Sequence, residues 1–327
     1  MNDQAEEQEQ EWTPEAIEVV RVAALEAQQR LGLSQTEMGR QMGRPPGTLS
    51  AWLNGTYTGR SEKIAAQVQA WLGSIQERAR IRRVMPKAPT FIETATASRI
   101  LEVLAHAQHL PDLTVTVGPP GVGKSIACCH YTATGSNVWK LVAEPIHKSL
   151  RAFLQDLGTA MGLQGGGRVD QKSRQIAMKV AGSRGLIIID EAQHLPSEVH
   201  DQLRSIHDKA VVGIALVGNP DIYQSLGTPG QTKYAQLHSR VGRRLTLTGA
   251  TKGDVAALTD AWGVEDGETR ALISAICRKP GALRGMMKTM RMAHMLASAA
   301  NRPLTADDVR IGYSGLSDTP LTIAEAA

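Results

Sequence analysis

At 327 residues, 42% of them apolar, the chain can bury one large core and a small second one. Lys and Arg number 36 against 32 Asp and Glu, a net charge of +4 with a pI near 9.0; this mild basicity fits a nucleic-acid partner and equally a solvated charged face. Cys128, Cys129 and Cys277 form no C-x-x-C, which excludes a disulfide framework and fits a reducing cytoplasm, and with no signal peptide or apolar run of spanning length no membrane partner is expected.

Residues 1–11 carry Asp3, Glu6, Glu7, Glu9 and Glu11 and read as a disordered acidic tail. Residues 12–80 read as all-helical. Thr13 and Pro14 open a helix whose apolar stripe includes Ile17, Val20, Leu25 and Leu31. Ser34 and Glu37 make a capping box ahead of a short helix, Gln35 to Met42. Gly43 to Pro45 make the turn, and Pro46 to Leu53 a second short helix. Leu33, Met38, Met42, Leu49, Trp52 and Leu53 supply a small core. The pattern resembles a helix-turn-helix of the phage-repressor type. Its candidate DNA contacts are Gln35, Thr48 and Ser50, with Asn54 at the end of the second helix. That helix holds no Arg or Gln for bidentate base contacts, so backbone-dominated DNA binding is expected rather than tight operator reading. A helical module that binds no DNA is the alternative. A long helix from Ser61 to about Arg80 then leads to a linker, 81–90, marked by Pro86 and Pro89. Arg78, Arg80, Arg82, Arg83 and Lys87 make that stretch basic.

Residues 91–249 alternate strands and helices, which predicts an α/β core with a parallel sheet. The strands are Leu113–Val117, Val138–Val142, Leu186–Asp190, Val211–Gly218 and Arg244–Thr248. Between the first strand and the following helix stands GPPGVGKS, Gly118 to Ser125, a G-x-x-x-x-G-K-[ST] phosphate loop. A triphosphate needs close backbone approach, positive charge and a metal. Gly118, Pro119, Pro120, Gly121, Val122, Gly123, Lys124, Ser125 and Ile126 form the expected cradle for ATP; Lys124 reaches the β and γ phosphates and the Ser125 hydroxyl ligates Mg²⁺. LIIID ends in Asp190, which is expected to help hold Mg²⁺, and Glu191 beside it to polarise the attacking water. Asn219, at the end of another core strand, can hydrogen-bond the γ-phosphate or that water; its alternative is a turn-forming Asn-Pro. Arg240 is the first choice for a finger supplied to a neighbour's nucleotide, with Arg243 and Arg244 as rivals. Gly162 to Gln171 read as a flexible surface loop. His200 and His207 share a helix face, but a structural or solvated role is expected rather than metal binding.

Residues 250–316 return to helices and form the expected lid. Lys279 to Ala297 carry Leu283, Met286, Met287, Met290 and Met295 as an apolar face, and Arg284 sits where it can fold back on the γ-phosphate. Residues 317–327 read as a loose tail.

Phosphate loop, DE pair, strand-ending Asn, an Arg before the last strand and GALR opening a lid helix resemble the AAA+ ATPases. FIETATASRI (Phe91 to Ile100), VWK, LIIIDEAQHL, LVGN, SRVGRR and KPGALR extend the likeness over nearly the whole chain to the Mu B-like, transposition-associated branch. That resemblance implies an ATPase using ATP and Mg²⁺ that binds double-stranded DNA largely without sequence preference. It implies helical filaments on DNA, capture of target DNA and stimulation of a cognate transposase. By position it assigns Asn219 and Arg284 to γ-phosphate sensing and Arg240 to the finger. The rivals are a helicase-loader-type ATPase, an ATP-switched helix-turn-helix transcription regulator, and a nucleotide-binding scaffold without turnover.

Overall fold

The computed structural model describes residues 12–84, 91–225, 241–317 and 321. The acidic tail and Arg240 lie outside the described residues. The chain divides into two compact units, Met1–Pro86 and Lys87–Ala327.

In the first unit, α1 (Pro14–Leu31) starts at Thr13, whose Oγ1 accepts the Ala16 N–H, and stops at Gly32 in the left-handed region. α2 (Gln35–Gln41) carries the expected capping box: Glu37 accepts from the Ser34 N–H at 2.8 Å and Ser34 Oγ accepts from the Glu37 N–H at 3.2 Å. α3 (Pro46–Leu53) crosses α2 at Gly39, where a Cβ would stand 2.8 Å from the Arg44 carbonyl oxygen. Met38, Leu49 and Trp52 are buried under α4 (Ser61–Val84), which contributes Ile64, Ala65, Val68 and Trp71. The expected linker starts too early: residues 81–84 continue α4. Arg82, Arg83 and the residues on either side of them include no Gly or Pro, so the helix runs on to Val84.

The second unit is built on a parallel five-stranded sheet of order β2-β3-β4-β1-β5. Its strands are β1 (Leu113–Val117), β2 (Val138–Val142), β3 (Leu186–Asp190), β4 (Gly213–Gly218) and β5 (Val241–Thr246). α5 (Ala95–His109) precedes β1, and α6 (Lys124–Thr134) follows it. α7 (Leu150–Ala160) and α8 (Val169–Val180) connect β2 to β3, and α9 (Ser197–Ala210) connects β3 to β4. α10 (Ile222–Ser225) is a short helix after β4.

Strand alternation divides the core between two faces. Val115, Val117, Ile187, Ile189, Ile214 and Leu216 pack with α7, α8 and α9. Leu186, Ile188, Ala215, Val217 and Leu245 pack with α5 and α6. Strands buried on both sides explain why LIIID and GIALVG are apolar throughout.

Several expected boundaries move. β4 begins at Gly213 rather than Val211, because Val211 takes φ 52° as the C-cap of α9 and is 66% exposed. β5 runs 241–246 rather than 244–248, since its start is fixed by pairing with β1, where the register shifts between Leu113 and Thr114. The last three residues of the expected loop 162–171 form the first turn of α8. Buried Lys172 ties the remainder back by donating to the Gly165 carbonyl at 2.7 Å.

The C-terminal helices are α11 (Lys252–Ala261), α12 (Gly267–Arg278), α13 (Ala282–Ala299) and α14 (Ala306–Ser314). They share a separate apolar cluster with Leu272, Ile273, Met286 and Met290 at its centre. Leu321 is buried in that cluster, so the tail is not loose at that residue: its apolar side chain completes the lid core. Among the described residues no helix is long and apolar enough to cross a membrane.

Candidate nucleotide site

β1 ends between β4 and β5, and the phosphate loop leaves the sheet there. The Gly118 N–H donates to the Gly218 carbonyl at 3.1 Å, and a Cβ on Gly118 would lie 2.7 Å from Leu247 Cβ. Gly121 and Gly123 take φ of 85° and 99°, a region that penalises any side chain. Gly123 caps α6, so the unpaired N–H groups of that helix start inside the loop.

Lys124 is 8% exposed and donates to the carbonyls of Gly118 at 2.7 Å and Pro119 at 2.9 Å. Burial pulls its pKa down; Glu191 and Asp190 act in the opposite sense, and Arg284 adds to the lowering. The ammonium is thus held by dipoles that it can exchange for phosphate oxygens.

Asp190 closes β3 and is 2% exposed. Its Oδ2 lies 3.2 Å from Lys140 Nζ on β2, and its Oδ1 accepts the Glu191 N–H at 3.1 Å. Lys140 also donates to Cys129 Sγ at 3.2 Å. Burial disfavours the Lys140 charge, but the sulfur and the carboxylate outweigh it and raise the pKa. Lys140 was not among the expected site residues, although VWK contains it. Burial raises the thiol pKa of Cys128, which fits a packing role.

Glu191 leaves the strand with φ 53°, and its side chain turns into a cavity of about 300 Å³. Pro120, Gly121, Val122, Gly123, Lys124, Ser125 and Ile126 line this cavity with Glu191 and Arg284. Phe91, Ile92, Leu258, Leu283 and Met287 give it apolar walls of the kind that suits a nucleobase. Lys288 and Arg291 join Arg284 along one side of α13. The segment Phe91 to Ala97 was legible as a family mark, but nothing in its residue types announced that it lines the cavity.

Gly118, Pro119, Asp190 and Asn219, also expected at the site, do not line the cavity. Asn219 follows the strand beside β1, as expected. Its side chain makes an Asx turn, with Nδ2 donating to Asp221 Oδ2 at 3.1 Å and Oδ1 accepting the Asp221 N–H at 2.9 Å. Its N–H donates to Gln193 Oε1 at 3.2 Å, and Gln193 Nε2 donates to Glu191 Oε2 at 2.6 Å. Sequence reasoning missed Gln193; the amide two residues after the carboxylate was the available signal. Arg243 is paired with Glu102 at 3.3 Å and, like Arg244, lies on edge strand β5. Gln35, Thr48 and Ser50 lie in the first unit and are partly exposed.

A family model described as an AAA domain matches residues 108–226, and one for the Mu B transposition protein, C terminal, matches residues 239–316. The ATP-dependent target DNA activator B of Escherichia phage Mu is 31% identical over 282 residues, 86% of this chain and 89% of that protein. The Mu-like prophage FluMu DNA transposition protein B of Haemophilus influenzae is 35% identical, covering 79% of this chain and 90% of its own length. The chain belongs to the Mu B family of transposition proteins.

Within the Mu B family the second unit is an AAA+ ATPase, and the AAA match spans the phosphate loop, Asp190, Glu191 and Asn219. The Mu B C-terminal match covers β5 and the lid that carries Arg284. Among solved structures, domain III of the replication initiation protein DnaA from Thermotoga maritima covers 69% of this chain and 94% of its own length, with 13% identity and a TM-score of 0.49.

Proposed function

We propose that this chain is an ATP-dependent activator of target DNA in transposition, which binds duplex DNA in its ATP state, assembles on it as a helical filament and stimulates a partner transposase. One observation supports this reading most strongly: Lys124, Ser125, Glu191 and the lid residue Arg284 line a single cavity. ATP bound there bridges phosphate loop and lid, so nucleotide state sets the geometry of the unit. The names of the Mu and FluMu relatives, a target DNA activator and a DNA transposition protein, supply the DNA and the transposition context.

In this reading Lys124 exchanges its two loop carbonyls for phosphate oxygens. Ser125 and Asp190 would hold Mg²⁺, which supplies charge neutralisation at the transferred phosphoryl group. Glu191 accepts the proton of the attacking water, and Arg284 and Asn219 respond to the γ-phosphate. Arg240 serves the nucleotide of the next protomer. Repeating that head-to-tail contact without closure gives a helix rather than a ring. DNA is held through its phosphates, with Gln35, Thr48 and Ser50 of the helix-turn-helix adding backbone contacts. Affinity then falls steeply with salt. Hydrolysis removes the γ-phosphate, loosens the boundary and releases DNA. The setting is the bacterial cytoplasm.

The test is binding of the full chain to random-sequence duplex DNA with ATP, with ADP and without nucleotide, viewed by negative-stain electron microscopy. ATP-dependent filaments on any sequence are expected. Binding that ignores nucleotide, or discrete particles at one sequence, overturns the reading in favour of a transcription regulator.

A further inference from the structure

The turn after β3 places one neutral amide between the ends of β3 and β4. Gln193 Nε2 donates to Glu191 Oε2 at 2.6 Å, and Gln193 Oε1 accepts the Asn219 N–H at 3.2 Å. The orientation of this amide is set by chemistry. A backbone N–H can only donate, so the atom facing Asn219 is the oxygen, which leaves the NH₂ for the carboxylate. The contact is tight on the β4 side as well: a Cβ on Gly218 would lie 2.1 Å from Gln193 Oε1, so the glycine leaves room for the amide. Of the twenty side chains, Gln and Asn alone pair an amide donor with a carbonyl acceptor, and Asn is one methylene shorter.

We propose that Gln193 is a positioning residue for ATP hydrolysis, holding one oxygen of Glu191 so that the other faces the attacking water, and linking that carboxylate to the end of β4 at Asn219. The inference rests on the reading of Glu191 as the group that takes the water proton. Three features converge on it. Glu191 is in the left-handed region at φ 53°, so its backbone gives the side chain no support from the β3 ladder. Its carboxylate lines the cavity while Gln193 does not, which places the amide behind it rather than in contact with nucleotide. Asn219 spends its side chain on Asp221, so its backbone N–H carries the link to Gln193. Any displacement of the β4 end would therefore pass through the amide to Glu191.

The experiment measures kcat and KM for ATP of the full chain with duplex DNA, and ATP affinity by titration, for the wild type, Gln193→Met, Gln193→Glu and Glu191→Gln. Methionine keeps the length of the side chain and removes both hydrogen bonds. Glutamate keeps the acceptor for Asn219 but sets a second carboxylate against Glu191. The expected result for Gln193→Met is a fall in kcat of roughly 10- to 100-fold with ATP affinity within about threefold of wild type. For Gln193→Glu kcat falls by a similar factor with ATP affinity retained, because the second carboxylate repels that of Glu191 and displaces it. A purely structural amide would change stability or affinity and leave kcat in place. Gln193→Met or Gln193→Glu with wild-type kcat overturns the proposal. Glu191→Gln separates the two levels. If it abolishes turnover while the Gln193 variants are normal, only the positioning role fails. If it leaves turnover intact, the assignment of Glu191 fails and the proposal falls with it.

Discussion

Gly121 joins two features that the sequence holds 160 positions apart, the phosphate loop and the turn before the lid helix. Its φ of 85° already disfavours a side chain, and a Cβ there would sit 2.0 Å from the Gly281 carbonyl oxygen. Gly123, at φ 99°, has open space around its Cβ position. The two glycines therefore separate conformational strain from steric exclusion. Alanine at 123 meets a left-handed cost of roughly 1 kcal/mol and little else. Alanine at 121 meets the same cost and also pushes Gly281 and the start of α13 away from the loop. Gly121→Ala should weaken ATP binding by roughly tenfold or more, and Gly123→Ala clearly less, in a titration with a fluorescent ATP analogue. Equal losses would show that the contact with Gly281 is unimportant. The loop itself was legible because GPPGVGKS specifies a local backbone path. Its partner at Gly281 was not, since only the fold brings the two glycines together.

At the scale of elements, α5 and α11 are pinned end to end by a buried carboxylate. Asp254 is fully buried; Oδ1 accepts the Thr96 N–H at 2.9 Å and Oδ2 accepts from Thr96 Oγ1 at 2.6 Å and the Thr251 N–H at 2.8 Å. Burial acts to raise its pKa, and the bonds from Thr96 and Thr251 together more than reverse that, so the carboxyl stays ionised. One side chain thereby caps two helix starts, one ahead of β1 and one in the lid. Asp254→Ala leaves these donors buried and unpaired, at a cost of about 2–3 kcal/mol by denaturant unfolding. Because Ile92, Thr94 and Ala97 line the cavity from one side and Leu258 from the other, KM for ATP should rise as well. A variant that keeps both stability and KM would show that the junction is held by the apolar packing alone. The capping Thr251 and the helices were visible as patterns. The link to Thr96, 158 positions away, carries no local signature. The same reason explains β4 and β5: their ends are set by a left-handed Val211 and by pairing with β1, neither of which hydrophobic alternation records.

The whole molecule adds a pH dependence that no motif suggests. His200 on α9 is fully buried, and burial pushes its pKa down to about 4. In the unfolded chain it titrates near the ordinary 6.5. As pH falls through 6.5 the unfolded chain takes up a proton that the folded chain refuses until about pH 4. Stability is therefore lost across that window, on the order of 3 kcal/mol in total for this one side chain. His294 adds in the same direction, since burial between the lid helices also lowers its pKa. Asp308 acts in a lower window. The bidentate pair with Arg302, at 2.6 and 2.8 Å, holds its carboxyl at about 2, against burial and with help from Thr305. Its contribution is complete above the ordinary carboxylate value near 4 and disappears as pH falls from there towards 2. Urea midpoints by circular dichroism should accordingly drop from pH 6.5 to pH 4, with ordinary carboxylates protonating only at the lower end of that range. His200→Leu should flatten that slope while lowering stability at pH 7 by much less than the wild type loses at pH 4. A wild-type midpoint that stays level between pH 6.5 and 4 would mean that His200 is protonated in the fold, and the burial argument for α9 would have to be given up.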